Sequence, residues 1–420
     1  MRIQPPPQEH HPVVVVGAGP GGCATALALV RRGIRVTLLE KARFPRDKVC
    51  GDVLLPAAIE SLEALGLPIR ELEARVHPNT GCRYRLLGSA EVSATYRDHH
   101  GRARASWTMP RHQFDAWLAS HTRLAGARLL EEETVTEVVP GNGSGPCCLT
   151  VRQRDGTVRG VSADFVVGAD GASSAVARDL GCLRHPPEHT CVALRTYAHG
   201  VRLPDPFLEI FTAPHLLPGC AWILPVGPET VNVGLGVLKS TAQRLGSNPA
   251  ALFRQALESM PTLRQRMEGA RWEPWRGWHL PGATEQRVCG KGRVLLVGDA
   301  GAMVDPFTGH GIHHALQAGR LAGSILADHL SGSMSGDPAT RYANEVAALL
   351  GREIIPGSQL QRLHARPGLV RLALPLARIH PGLRSLMMAL VGHSAERHEL
   401  LSPRNLIASC LQLSEKRVLV

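Results

Sequence analysis

Short β-branched runs and alternating stretches fill the first three-quarters of the chain, and helical spacing takes over in the last quarter. Val13–Val16 is an apolar run that stops at glycines and precedes Cys23-Ala-Thr-Ala-Leu-Ala-Leu-Val30, a pattern that predicts strand, tight turn and helix. Gly33 ends that helix, and Val36–Glu40 supplies a second apolar strand finishing on an acid, which completes a βαβ unit. Between about residues 78 and 160 the runs are shorter and strand-like, interrupted by a predicted helix over Gln113–Ala125, with Asn142–Pro146 read as a turn. Phe165–Val167 is a buried strand leading into Gly168-Ala-Asp-Gly171. From about 186 to 284 prolines and tryptophans accumulate and alternation recurs, as in Val231–Val237, predicting an antiparallel sheet. Arg293–Val297 returns to the buried-strand pattern and is followed by a predicted helix from Ile312 to Leu330. Beyond Gly336 the pattern is helical, with Pro367, Pro375 and Pro381 expected to break it into short pieces.

Composition adds constraints. With 44% hydrophobic and 20% charged residues in 420, the chain has apolar material for a sizeable core. Its ten cysteines are scattered without metal-ligand spacing, so no metal site or disulfide framework is expected. The net charge of +11 comes mostly from dispersed arginines, with no basic tract or nucleic-acid motif, so a solvated surface is expected and nucleic-acid binding is not. Residues 1–11 are polar and Pro-rich, read as a disordered lead-in rather than a signal peptide, and a cytoplasmic location is expected. No stretch is long and apolar enough to span a bilayer.

Gly17-Ala-Gly-Pro-Gly-Gly22 fits GxGxxG through Gly17, Gly19 and Gly22: one glycine for the turn, one for close approach of a pyrophosphate, one for helix packing. Alone the motif is weak, but Glu40 ends the second strand 23 residues after Gly17, where its carboxylate can accept from an adenosine ribose. Two further segments stand in order. Val166-Val-Gly-Ala-Asp-Gly-Ala-Ser-Ser-Ala-Val-Ala-Arg178 is similar to the GADG signature of flavoprotein hydroxylases. Val297-Gly-Asp-Ala-Gly-Ala-Met-Val-Asp-Pro-Phe-Thr-Gly-His-Gly-Ile312 resembles the motif in which Asp299 would hold a ribityl chain. In that motif the turn before Ile312 presents N–H groups and a helix dipole to the flavin ring.

Together with Phe44-Pro-Arg-Asp-Lys-Val-Cys-Gly-Asp52, Arg111 with Asp115, and Cys220-Ala-Trp-Ile-Leu-Pro225 followed by Gly234-Leu-Gly236, these segments resemble the geranylgeranyl reductase family over residues 12 to 330. That family lies within the superfamily of flavin hydroxylases and halogenases. The resemblance implies noncovalent FAD, with NADPH or NADH as reductant. It implies a cofactor set of Gly17, Gly19, Gly22, Glu40, Lys41, Arg111, Asp170, Asp299, Gly309, His310, Gly311 and Ile312, and a substrate set of Cys220, Trp222, Leu224, Pro225, Gly234 and Gly236. Cys220 and Leu224 replace aromatic residues of the family's cavity motif, and His310 stands where many relatives carry Glu. Cys50 is the candidate catalytic thiol, with a small buried hydrophobe as the bland alternative. Lys48 is read as surface charge, and Trp272, Trp275 and Trp278 as core. Adjacent His313 and His314 are expected on different sides of a helix, not as a metal pair.

The fold expectation is α/β: a Rossmann-like FAD-binding domain (12–77, 111–185 and 285–330) interleaved with an antiparallel-sheet substrate domain (78–110 and 186–284), then a helical C-terminal region (331–420). The lost aromatic positions favour a bulky hydrophobic specialised metabolite and monooxygenation, by hydroxylation or epoxidation, over C=C reduction of an isoprenoid. A non-catalytic flavin or lipid-binding protein is the alternative of another class. Halogenation is disfavoured because residues 50–56 and position 220 lack the halogenase pattern. Helices over 365–392 are expected to pack on the substrate domain, with interfacial membrane contact as the less favoured alternative. Oligomeric state is left open.

Overall fold

A computed structural model describes residues 7–411, apart from Ala90 and residues 98–101, 142–144, 184, 284–288 and 393–396. Most of the turn expected at Asn142–Pro146 and the domain boundary expected near 285 lie outside the described residues.

The chain weaves between two sheets. β1 (Pro7–Val16) runs through the glycine turn into α1 (Pro20–Val30), and β2 (Val36–Glu40) returns parallel to β1 with Val36 opposite Val13. A first excursion places β3 (Gly81–Leu86) and β4 (Glu91–Thr95) in the second sheet. α2 (Arg111–Leu124) then leads back to β5 (Arg128–Glu131), parallel to β2. A hairpin precedes β6 (Val158–Gly168), parallel to β1 with Phe165 opposite Val13, and α3 (Ala175–Asp179) follows. The second excursion supplies β7 (Thr190–His199), β8 (Phe207–Thr212), β9 (Cys220–Pro225), β10 (Thr230–Leu238) and β11 (Arg276–Pro281). β12 (Val294–Leu296) rejoins the first sheet beside β6. The helices α4 (Ile312–Leu330), α5 (Pro338–His364), α6 (Pro367–Ile379) and α7 (Pro381–Gly392) follow. In the first sheet β12-β6-β1-β2-β5 run parallel in that order, with the hairpin antiparallel to β6 and a short strand at Gly290–Lys291 antiparallel to β12; the second sheet is ordered β7-β10-β9-β8-β3-β4 and antiparallel except for β8 with β3.

Helices cover one face of the first sheet, and the hairpin before β6, through Val135, Val138, Leu149 and Val151, covers the other together with Val176 and Ala177 of α3, so the strands are buried on both faces and β1 is a continuous valine run rather than an alternation. α1 is buried almost throughout because α4 lies against it backbone to backbone. A Cβ on Gly319 would come within 2.2 Å of Gly21 O, and one on Gly323 within 2.5 Å of Thr25 O. The small residues of both helices therefore fix their separation and bring their N-terminal ends to one cleft. On the second sheet, α6 and α7 pack over β3 and β4 through Val370, Leu374, Ala377 and Met388, as the sequence pattern leads one to expect.

Four expectations need correction. Residues 7–11 are not a disordered lead-in: β1 starts at Pro7, Glu9–His11 pair with Val161–Ala163, and the buried His11 ring bonds Thr37 Oγ1 at 3.1 Å. The long β6 offers a ladder that local polarity does not announce. Pro375 does not break α6, nor Pro356 α5. Pro375 lies on the exposed side, where the carbonyl it frees meets water, while the opposite side is held by buried Val370 and Leu374. Trp272 and Trp275 are not core but stack on each other at the surface, 5.5 Å between rings. His313 and His314 do not diverge: both are buried on α4 with rings 3.9 Å apart. Among the described residues there is no cluster able to hold a metal.

Candidate active site

The ends of β1, β2 and β6 and the N-termini of α1 and α4 border a cleft of about 810 Å³. Gly17, Gly19, Glu40, Lys41, Arg111, Asp170, Asp299, Gly309, Gly311 and Ile312 line it, as does Cys50. Gly22 does not; its role is packing, since a Cβ there would stand 1.9 Å from Gly17 O. Gly17 has φ +98°, and a Cβ would meet Ala169 O at 2.4 Å, so side chains are excluded where the chain turns between β1 and β6.

Glu40 is buried at the end of β2, its carboxylate accepting from Ala18 N at 2.9 Å and Ala42 N at 3.1 Å, with Arg46 Nε at 3.3 Å. Two acceptor oxygens leave lone pairs for a ribose diol. Arg46 continues to Asp115 at 2.8 Å, and Asp115 also receives a two-pronged bond from Arg111 at 2.7 and 2.8 Å. Asp170 accepts from Ser174 Oγ at 2.5 Å and Ala175 N at 2.7 Å, holding the start of α3. Burial raises its carboxyl, and those bonds oppose the shift.

Lys48 is not a surface charge. It is 3.4 Å from Asp299 and lies over the Trp278 ring at 4.4 Å, partly buried, with its pKa pushed down by burial against the pull of Asp299. The segment Asp305–Gly311 closes the far end of the cleft. Asp305 accepts from Phe307 N at 2.9 Å and Thr308 Oγ1 at 2.6 Å, and its own N–H donates to His310 O at 2.8 Å. From beyond α7, Arg397 donates to both Asp305 oxygens at 2.9 and 2.5 Å, both side chains fully buried.

A second cavity, about 210 Å³, meets the first at Cys50, Gly51, Gly309, Gly311 and Ile312. Cys220, Trp222, Leu224 and Gly236 line it, and so does His310, which the cleft does not include. Pro225 and Gly234 lie outside its wall: Pro225 O accepts from Thr108 Oγ1, and Gly234 makes room for Trp222, whose ring would lie 2.4 Å from a Cβ there. Burial pushes the Cys82, Cys191 and Cys220 thiols up to about 12, so these lining groups are neutral and effectively apolar. Tyr96 and Phe307 supply aromatic wall from elements other than β9.

Beneath Cys50 lies a network that motif spacing does not reveal. Asp52, at φ +66° and 1% exposed, accepts from Arg111 N at 3.2 Å, Tyr197 Oη at 2.6 Å and Asn232 Nδ2 at 2.7 Å. Asn232 Nδ2 also donates to Cys50 O at 2.7 Å, and its Oδ1 accepts from Trp222 Nε1 at 2.9 Å. Arg195 donates to Asp47 at 2.7 Å and to Lys48 O at 2.9 Å. The second sheet thus holds the whole 47–52 segment against the cleft. Asp52 stands in the quoted Cys50-Gly-Asp52 string; Tyr197, Asn232 and Arg195 carry no signal beyond strand alternation.

A side-chain-free glycine turn, two helix N-termini and a carboxylate at the strand end fit a dinucleotide diphosphate and its ribose, so the residues present suit FAD. Comparisons with known proteins agree. Residues 10–350 match the FAD binding domain family. The chain is 32% identical over 394 residues to menaquinone reductase of Mycolicibacterium smegmatis, covering 91% of each chain. It is 30% identical over 365 residues to digeranylgeranylglycerophospholipid reductase of Methanothrix thermoacetophila, covering 84% of this chain and 87% of the relative. A geranylgeranyl bacteriochlorophyll reductase-like structure from Thermoplasma acidophilum shares the fold at TM-score 0.78 and 18% identity, over 97% of this chain and 100% of that one. Cofactor cleft, motif order and relatives coincide: the chain belongs to the geranylgeranyl reductase family of FAD-dependent oxidoreductases.

Proposed function

We propose that the protein reduces a C=C bond in an isoprenoid chain. The observation that carries this reading is the 210 Å³ apolar cavity joined to the cofactor cleft at Cys50 and Gly309–Ile312. It is smaller than the roughly 300–1,000 Å³ that encloses a whole drug-sized ligand, so it suits a segment of a chain whose remainder lies outside. The preference for a bulky substrate and monooxygenation, drawn from Cys220 and Leu224, is given up. Tyr96, Trp222 and Phe307 keep the cavity narrow, and the relatives named above are reductases.

Bound and reduced, FAD supplies a hydride; the protein's part is to hold the alkene and provide a proton. Trp222, Tyr96 and Phe307 orient the chain, and the neutral thiols exclude water without adding polar groups. Cys50, on the wall shared by both spaces, is the side chain placed to deliver the proton from Sγ, with Asn232 fixing its backbone. The basic mouth at Lys41 and Arg276 suits transient docking of NADPH or NADH as reductant. The test is anaerobic: protein reduced with dithionite is mixed with geranylgeranyl diphosphate or a polyprenylated quinone. Flavin reoxidation with a product richer by two hydrogens supports the reading. Reoxidation that requires oxygen, with oxygen entering the product, overturns it.

A further inference from the structure

The outward side of α6 is apolar where a soluble surface would be polar. Leu369, Leu372, Leu376 and Ile379 follow helical spacing on one side and are 41%, 62%, 43% and 77% exposed, while Val370, Leu374 and Ala377 bury the opposite side against the second sheet. Leu363, at the end of α5, is half exposed and adds to the same region. Arg371 and Arg378 run along one flank of the exposed stripe and Arg366 stands on the other. Between Glu353 and Glu396 the sequence holds five arginines and no acidic residue.

We propose that α6 is a membrane-docking helix that lies flat on an anionic lipid surface, with the leucines and Ile379 in the acyl boundary and the arginines among the phosphates. A helix apolar on its outer face and arginine-flanked matches the chemistry of that interface, where long cationic side chains extend to the headgroups. No helix among the described residues is long and apolar enough to cross a membrane, so contact is from one side. A second copy of the chain suits the surface less well: a twofold contact would set the Arg371 and Arg378 rows against their own equivalents with no carboxylate nearby. Position reinforces the assignment. α6 touches both α5 and α7, and Gln361 of α5 and Val391 of α7 line the apolar cavity, so the docked face adjoins the helices that wall the substrate space.

The experiment uses the full FAD-loaded chain and sedimentation with vesicles of phosphatidylcholine alone or mixed with phosphatidylglycerol. Wild type should sediment with the anionic vesicles at low salt and be released by high salt. Leu372→Asp with Ile379→Asp should weaken that binding by at least about tenfold, given the apolar area removed, while bound flavin and melting temperature stay unchanged. Arg371→Gln with Arg378→Gln should abolish the preference for phosphatidylglycerol. Absence of sedimentation at low salt, undiminished binding of the Asp variant, or a lipid-free dimer that the Asp variant dissolves would each overturn the proposal. Vesicle binding is read without substrate, so its failure leaves the reductase reading untouched.

Discussion

Tyr197 Oη donates to Asp52 Oδ2 at 2.6 Å, tying β7 of the second sheet to the segment that carries Cys50. Burial raises the Asp52 carboxyl to about 6, against Arg195 and the bonds from Tyr197 and Asn232, which favour the charged form. Because the folded value lies above the ordinary 3.8, the native state holds a proton that the unfolded chain releases between those values. The contribution of Asp52 to stability is thus fully present below about pH 4 and is lost as pH rises through about 6. Relative to Asp52→Asn, wild type should lose up to about 3 kcal/mol between those limits, measured by urea unfolding across pH. Tyr197→Phe removes a bond to the charged form and should move the inflection higher. A wild-type advantage that grows with pH would contradict the assignment.

Arg397 and Asp305 form a fully buried, two-pronged pair. Arg397→Met leaves the carboxylate buried without that guanidinium and should cost about 3–5 kcal/mol, read from urea midpoints. Arg397→Met combined with Asp305→Asn should recover part of the loss and still bind FAD more weakly, because Asp305 also fixes Phe307 and Thr308.

The cofactor set is tested by Glu40→Arg with Asp299→Ala, which replaces an acceptor at the ribose end by a cation and removes the carboxylate beside Lys48. Flavin absorbance should be lost from the purified variant. Stoichiometric flavin retained by a folded variant would refute these positions.

What the sequence made legible was local. The βαβ unit, its glycine turn and the helix from Ile312 to Leu330 follow from apolar runs punctuated by glycines, and the helix bounds agree with the structure. What stayed hidden joins distant residues: Lys48 with Asp299, Tyr197 with Asp52 and Arg397 with Asp305, separated by 251, 145 and 92 positions. No periodicity records such pairings, and a charged residue destined for burial resembles a solvated one until its partner is placed. Trp272 and Trp275 show the converse, large apolar side chains that stay at the surface by stacking on each other. The aromatic wall of the apolar cavity is hidden for a related reason: Tyr96 and Phe307, which line it with Trp222, come from segments far from β9.

Two glycines of the β10 motif should respond differently to alanine. At Gly234 a Cβ would meet Leu194 O and the Trp222 ring, each at 2.4 Å, so the strand pair itself must shift. At Gly236 the nearest atoms are Cys191 Sγ at 3.2 Å and the Trp222 ring at 3.3 Å, which can yield slightly. Gly234→Ala should cost roughly 3 kcal/mol or more and Gly236→Ala about 1 kcal/mol, the latter mainly narrowing the cavity and slowing turnover. Thermal unfolding of the two variants orders the costs, and equal costs would mean that Trp222 does not fill the space Gly234 leaves.

Arg397 lies 92 residues beyond the carboxylate it neutralises. A nascent chain that has emerged through α4 already holds both sheets and the glycine turn, yet Asp305 still lacks its guanidinium. The Asp305–Gly311 segment at the end of the cleft is therefore among the last parts of the molecule to be locked during synthesis. Ribosome-bound chains halted after α4 should load cofactor poorly, making flavin insertion a late, post-translational event.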